Sequence, residues 1–513
     1  MEHIAARIFN FIAIILFFIL SAYSLLFTEV NDTYLFEYVY EKRDSIIHNL
    51  GWLIVALLFF YAVYKLLSKY ERLETQKIAV AVSIFVAAAG IFWVYTSKVL
   101  PYADTLYLYE YTSAFNHGDF SGLERGGYVS IYRQQLGIIT LLRVIFSLFG
   151  DGNYAPFQYL NAMMAGLLVY AGYKVTEYLS DHNRTVEIFY LVFTVVCIPL
   201  YGYIPFVYGE ILQITFLMLA TWMLLSCLTR FSYRKCICIG LFSGLAVQMR
   251  KNSWIVLIAF FIVMLCKLSL KNKKNILCMI LSTFAGVLLF SGLVTAIYYN
   301  KIPKDSKPMP ALLHIAMGLN WDGVNPGYFN GYNTITYAVN NFDVQASKDA
   351  ARQTIKVFFQ NTKIKDGYLW DFYRHKMTGQ WNAPMYQSLL VTARLDDGHS
   401  AFAGKIYNGK IHDFLEKFMN IYQLLIYGSI LYLLIKNRKI WISIEKYVLL
   451  IGVFGGFLFS LLWEARARYI FPYFILMIPY ACVGIYEFAA KKPMKYHYTK
   501  RHRSTKKHYR KTK

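Results

Sequence analysis

The chain has 513 residues, 57% of them hydrophobic and only 16% charged, with a mean hydropathy of +0.37. A soluble domain is nearer half apolar and a quarter charged, so this composition excludes an ordinary soluble globular protein. The formal net charge is +23, but the stretch 491–513 alone holds 11 Lys and Arg and no acid. That concentration, with no other nucleic-acid module in the chain, argues against nucleic acid as a partner and for an anionic lipid surface.

Runs of about 20 apolar residues are long enough to cross a hydrocarbon core of roughly 30 Å. The first, 10-NFIAIILFFILSAYSLLF-27, is too long for a signal-peptide core and lacks an A-x-A site, so it is expected to be a retained helix. In chain order the pattern predicts twelve helices, near 8–28, 50–67, 78–97, 156–178, 185–202, 210–228, 236–249, 253–270, 276–299, 421–436, 446–463 and 469–489. The fold class expected is therefore an all-α polytopic membrane protein. Lys69, Arg72 and Lys77 fall in one connecting loop, and Lys174 and Arg184 flank another. Arg230, Arg234 and Lys235 make a third, Lys267, Lys271, Lys273 and Lys274 a fourth, and Lys436, Arg438, Lys439 and Lys446 a fifth. With twelve spans all five lie on the side of the basic tail, which the positive-inside rule makes cytoplasmic, with both termini inside.

The sequence divides into N-terminal transmembrane helices (1–75), a transmembrane core (76–299) carrying a large outer loop (98–155), a second outer loop domain of mixed structure (300–420), C-terminal transmembrane helices (421–490) and the basic cytoplasmic tail (491–513). The first outer loop includes 135-QLGIITLLRVIFSLFG-150, an amphipathic stretch expected to lie in the interface. The seven cysteines all fall in or beside apolar segments, so no disulfide framework is implied, and Cys236 with Cys238 lacks the second pair that a metal site needs. No internal repeat of the transporter kind is visible.

Several polar residues map to the outer side. Asp104, in 101-PYADTLYLYEYTSAF-115, is a carboxylate just beyond a membrane helix, where it can take a proton from an attacking hydroxyl or simply be a solvated loop acid. Glu110 is a weaker candidate of the same kind. In 124-ERGGYVSIYRQQLG-137, Arg133 can hold a phosphate and Gln134 and Gln135 can hold hydroxyls, or the segment can be an interfacial anchor. Glu210 enters a helix in 203-YIPFVYGEILQITF-216, as functional acid or as a cap. Arg250 and Lys251 in 244-GLAVQMRKNSWIVLI-258, and Glu464, Arg466 and Arg468 in 461-LLWEARARYIFPYF-474, place cations in short outer loops where they are disfavoured; a bound anion accounts for them, as does a miscounted helix for the first group or internal charge pairing for the second. A carboxylate base among cations at a lipid–water interface fits a reaction on a lipid-linked phosphate.

Together, Asp104 in PYADTLYLYEYTSAFNHGDF, the YxxxYRQQLG stretch, the Pro-x-x-Tyr-Gly-Glu helix start, GLAVQMRKNSW, the W-E-x-R-x-R-Y-x-x-P turn and 310-PALLHIAMGLN-320 resemble the GT-C class of membrane glycosyltransferases. The resemblance lies near glycosyltransferase family 39 and the protein mannosyltransferase and aminoarabinose transferase group, and spans roughly residues 75–490 as short motifs. Asp104 is followed by Thr105 where the family commonly has Glu. The resemblance implies a sugar on a polyprenyl phosphate as donor and an extracytoplasmic glycan, glycolipid or protein as acceptor. It makes Asp104 the base of an inverting attack, with Arg250, Lys251, Arg466, Arg468 and Arg133 around the donor phosphate. His314 and Trp321 become sugar or acceptor contacts in a covering 300–420 domain, joined by Gln134, Gln135, Glu210 and Glu464. No D-x-D motif occurs, so neither a metal nor a nucleotide sugar is indicated. The alternatives are a polysaccharide polymerase or ligase, a lipid-linked glycan transporter, and a non-enzymatic scaffold. Heavy Lys, Ile and Tyr usage points to an AT-rich bacterial genome and hence a bacterial cell membrane.

Overall fold

A computed structural model describes residues 2–31, 39–69, 74–270, 272–321, 325–364, 366–393, 398–438 and 443–490. The basic tail, and with it the expected lipid anchor, lies outside the described residues, as do Arg72, Lys271 and Lys439.

The chain opens with helix α1 (Glu2–Leu26), then an antiparallel hairpin, β1 (Phe27–Asn31) with β2 (Val39–Arg43), in register Phe27↔Arg43. The helix expected over 8–28 thus ends at Leu26, and the hairpin that follows has no counterpart among the expected elements. Helix stops at Leu26 because the following backbone finds partners elsewhere: the Glu29 N–H donates to the Asn382 carbonyl at 3.1 Å, and Glu41 pairs with Arg374. Next come α2 (Ile46–Leu67), whose N-cap Ser45 accepts from the His48 N–H, and α3 (Thr75–Ser97).

The segment expected as the first outer loop holds α4 (Asp104–Asn116), α5 (Tyr128–Ile131) and α6 (Leu136–Phe149). Helix α6 buries Ile138, Ile139, Leu142, Ile145 and Phe146 and exposes Val144, Leu148 and Phe149. That is the two-faced pattern expected of 135–150. Fourteen residues span only about 21 Å, too short to cross. Arg143 fastens α6 to the end of α4, its Nε 3.0 Å from Asn116 Oδ1.

The core continues with α7 (Ala155–Leu179), α8 (Arg184–Val195), α9 (Ile198–Gly202), α10 (Glu210–Thr229), α11 (Tyr233–Met249), α12 (Ser253–Cys266) and α13 (Lys273–Tyr298). The helix expected over 185–202 is broken between α8 and α9, just ahead of Pro199, which cannot complete the ladder of the preceding turn. The segment expected as the second outer loop, here called the outer domain after that expectation, is helical too: α14 (Ala311–Gly318), α15 (Tyr332–Val339), α16 (Val344–Ile364), α17 (Tyr368–Trp381) and α18 (Ala401–Tyr407). Small apolar clusters of its own, around Leu313 and Tyr337 and around Phe358 and Phe372, hold it together. The chain closes with α19 (Lys410–Lys436), α20 (Val448–Leu462) and α21 (Phe471–Ala490).

Helix lies under all twelve expected segments, and among the described residues eight helices are long and apolar enough to cross a membrane: α1, α2, α3, α10, α13, α19, α20 with its preceding turn, and α21. Of the others, α8, α11 and α12 have 12, 17 and 14 residues, and α7 is long but is not one of the eight. The basic loops are joined to one another. Thr75 bonds to Glu187, Lys446 pairs with Asp181 at 2.8 Å, and Lys267 reaches both Glu2 and Glu445. The starts of α1, α3 and α8 and the α12–α13 and α19–α20 connections therefore meet at one end of the bundle. The candidate residues gather at the other.

Helices α11 and α13 cross on glycines, so that a Cβ on Gly286 would fall on the Gly240 carbonyl, whereas Gly292 on the same helix meets nothing within 4 Å. Such small-residue crossings are how apolar helices approach closely. Gly286→Val is expected to separate the pair at a cost of about 1–3 kcal/mol. Size-exclusion profile and melting temperature in detergent should deteriorate for Gly286→Val and not for Gly292→Val.

Candidate functional site

Asp104 owes its position to a local backbone constraint. The chain leaves α3 through Lys98 at φ 48 and enters α4 through Ala103 at φ 46, both in the region that side chains other than glycine rarely adopt. Residues held there cost of order 1–3 kcal/mol and persist only where their surroundings determine them. Thr105 supplies part of that determination: its hydroxyl accepts from the Tyr102 N–H and donates to the Tyr102 carbonyl, each at 2.8 Å. Thr105 thus has a structural task in this chain. Asp104 becomes the first residue of α4, where the helix dipole favours a carboxylate.

The Asp104 side chain is 41% exposed; its Oδ2 lies 3.3 Å from Arg468 and its Oδ1 3.4 Å from the Tyr128 hydroxyl, and Tyr208 also hydrogen-bonds to it. Burial pushes its pKa up, but the charges of Arg468 and Arg466 outweigh this, and the net direction is down. Asp104 is therefore ionised at neutral pH and still reachable. Glu110 is exposed one and a half turns further on.

Around this carboxylate the structure builds three arginine–carboxylate pairs. Arg468, 6% exposed, pairs with Asp104. Arg250 pairs with Glu210 at 2.8 Å, and Arg466 with Glu464 at 2.7 Å. Arg250 and Arg468 both lie over the ring of Tyr208, each 5.0 Å from its centroid, and both lie over Tyr469, at 5.6 and 5.5 Å. Such contacts favour a guanidinium most when water is excluded. Burial works against the charge of Arg468, yet Tyr469, Asp104, Tyr208 and Glu210 hold its pKa above the usual value. The Tyr208 phenol is driven up by burial first and by Asp104 second, so it stays a proton donor. Gly209, at φ 97, turns the chain so that Glu210 starts α10 facing Arg250, and Gln213 one turn on bonds Asn252 at 2.6 Å.

Glu464 extends the group toward the outer domain. It accepts from the Tyr469 hydroxyl at 3.3 Å and lies 3.9 Å from His314 Nδ1, whose ring stacks on Trp463. Burial lowers the His314 pKa and Glu464 opposes it, with burial winning. Gln135 joins through a hydrogen bond from its Nε2 to the Tyr208 hydroxyl.

The structure thus brings together Asp104, Gln135, Glu210, Arg250, His314, Glu464, Arg466 and Arg468. It does not bring in the rest. Arg133 is spent on Ser306, 2.8 Å from its hydroxyl, and ties the two outer loops together. Gln134 is exposed. Trp321 packs on Tyr368, Phe372 and His375 inside the outer domain. Lys251 is exposed beside Arg250, with no ion-pair partner among the described residues. Three His and Glu side chains, Glu177, His182 and Glu187, offer ligand atoms within 4.8 Å of one another at the opposite end, where Lys174 already sits 3.0 Å from Glu177.

Sequence reasoning missed the tyrosines between the charges, Tyr128, Tyr208 and Tyr469, although each lies inside a quoted motif. It also missed Lys376, fully buried in α17, which donates to the carbonyls of Gly318, Leu461 and Trp463. Burial draws its pKa down to about 7 against the pull of Glu464. Three carbonyls at the ends of α14 and α20 match the three N–H groups of an ammonium. No hydrophobic period marks such a lysine. No protein-family model matches this chain, and no curated protein matches it either.

Because Lys376 satisfies the carbonyls of Leu461 and Trp463, just ahead of Glu464, and of Gly318 at the end of α14, Lys376→Met should leave them buried and unpaired, at about 1–3 kcal/mol each. A sharp fall in melting temperature is expected, against no change for Lys356→Met on the exposed face of α16.

Proposed function

We propose that this chain is a membrane glycosyltransferase of GT-C type, with twelve spans, cytoplasmic termini and an extracytoplasmic site, moving a sugar from a polyprenyl-phosphate donor to a hydroxyl acceptor. The observation that carries the reading is the state of Asp104: an ionised, part-exposed carboxylate on a strained turn, set among buried arginines at the end of the bundle away from the basic loops. In this reaction the acceptor oxygen attacks the anomeric carbon from the face opposite the phosphate. Its proton passes to Asp104 as the new C–O bond forms, and the bond to the phosphate oxygen breaks with its electron pair. The phosphate leaves with added negative charge, which preplaced cations stabilise without reorganising. Arg468 keeps its Nε–H unpartnered among the described residues, and Lys251 offers a charge not committed to a carboxylate. The depressed pKa of Asp104 makes it a weak base, suited to taking the proton late, as the C–O bond closes.

The complete pairing of the three arginines also favours a second reading, an ion-pair clasp that holds the outer ends of the helices. The two separate cleanly. Asp104→Asn strands the buried Arg468 and lowers the melting temperature under either reading. Under the transferase reading it also abolishes transfer from polyprenyl-phosphate sugar by the protein that remains folded, whereas transfer per folded protein that stays near normal leaves only the clasp.

The pH dependence has a definite sign. With its pKa lowered, Asp104 stays a competent base as pH falls until that low value is crossed. Arg468→Met removes the opposing charge and leaves the burial, so the acid limb of the rate profile should move to higher pH. Arg250→Ala should mainly raise the donor KM.

The membrane arrangement has its own check. An impermeant thiol reagent applied to intact cells should label Tyr102→Cys and spare Thr505→Cys; labelling of both from one side would sink the topology.

A further inference from the structure

A cavity of about 260 Å³ opens between β1, the segment 383–390 and the start of α19, away from the arginines. It has the volume of roughly nine waters in the liquid, which suits a single hydroxylated ring. Its charge is opposite to that of the arginine cluster. Glu29, Asp413 and Glu416 line it, with His412 3.2 Å from Glu416, and neither Lys nor Arg is among its described lining residues.

Its inner wall is unusual in two further ways. Tyr386 and Gln387 stand at φ 49 and φ 60, two successive side-chain-bearing residues in the left-handed region, which is costly and needs a reason. Gln387 is 2% exposed, and its amide Nε2 has no acceptor among the described residues. A buried amide left unpaired costs about 1–3 kcal/mol, and a ligand oxygen is the partner it lacks. The same side chain looks the other way through its Oε1, which accepts from the backbone N–H of Arg468 at 3.4 Å. Arg468 is the residue paired with Asp104.

We infer that this cavity binds an ammonium-bearing, hydroxylated ring, its cation against the carboxylates and a ring oxygen toward Gln387. The inference goes beyond the transferase reading: the cavity's link to the arginines is Gln387, which accepts from the Arg468 main chain, and the ring is bound apart from Asp104. Its chemistry is shared by an amino sugar and by an ethanolamine headgroup, which differ in the ring.

Full-length protein in lipid nanodiscs should be titrated by calorimetry with D-glucosamine, D-glucose and ethanolamine. Glucosamine is expected to saturate a single site about tenfold more tightly than either of the others. Asp413→Asn, at an exposed position, should weaken glucosamine by a similar factor with the melting temperature unchanged. Equal binding of glucose would overturn the ammonium, and equal binding of ethanolamine would overturn the ring. Absent saturation, or an Asp413→Asn protein that binds as before, would overturn the site. Glucosamine binding is read without any transfer, so it should survive in Asp104→Asn. Loss of transfer activity and loss of the cavity's ligand are therefore separate results.

Discussion

The end of the bundle that carries the candidate site depends on one constraint: a guanidinium taken out of water must meet a carboxylate. Arg250, Arg466 and Arg468 are 14%, 12% and 6% exposed, and each has met its own acid. Removing one partner of such a pair leaves the other charge buried and costs about 3–5 kcal/mol. The pairs therefore determine geometry as well as charge. Arg468 fixes the start of α4 relative to the α20–α21 turn. Arg250 fixes the α11–α12 turn relative to the start of α10. Tyr208 and Tyr469, lying against both guanidiniums, hold the two links at a set spacing.

The outer domain belongs to the same construction. Glycines let backbone approach backbone where α14 meets the end of α20: a Cβ on Gly318 would fall on the Leu462 carbonyl, and one on Gly327 would lie 2.5 Å from the Gly318 carbonyl. Lys376 bonds the carbonyls exposed by this close approach. One residue beyond Trp463, Glu464 then faces both Arg466 and His314. A domain that reads as a polar loop in sequence thereby sets the position of a charged turn between two apolar helices.

How much of this was legible follows from the kind of signal involved. Apolar runs of helical length are local, and every expected segment proved helical, down to the end of α6 at Phe149. The hairpin at 27–43 escaped because its partners, Asn382 and Arg374, lie more than three hundred residues away. At the site, cations in short outer loops were conspicuous because loop charge is normally excluded there, and Arg250, Arg466 and Arg468 do converge with Asp104. What the sequence could not supply was the pairing. Nothing local in 461-LLWEARARYIFPYF-474 says that Arg468 turns to Asp104 while Arg466 turns to Glu464. Arg133 looked like Arg250 by type and setting and went instead to Ser306.

The pairing bears on the order of events in the proposed reaction. A phosphate arriving beside Arg468 competes with Asp104 for the same guanidinium. As Arg468 turns toward the phosphate, Asp104 keeps its burial and loses the charge that opposes it, so its pKa rises. The carboxylate is thus a poor base while the donor site is empty and a better one once the phosphate is in place. A site organised in this way restrains Asp104 from acting on water or acceptor alone. It couples base strength to donor binding through a single side chain, whose backbone N–H is at the same time held by Gln387 from the acidic cavity. Arg468 is thus held at two ends, its guanidinium by Asp104 and its main chain by Gln387.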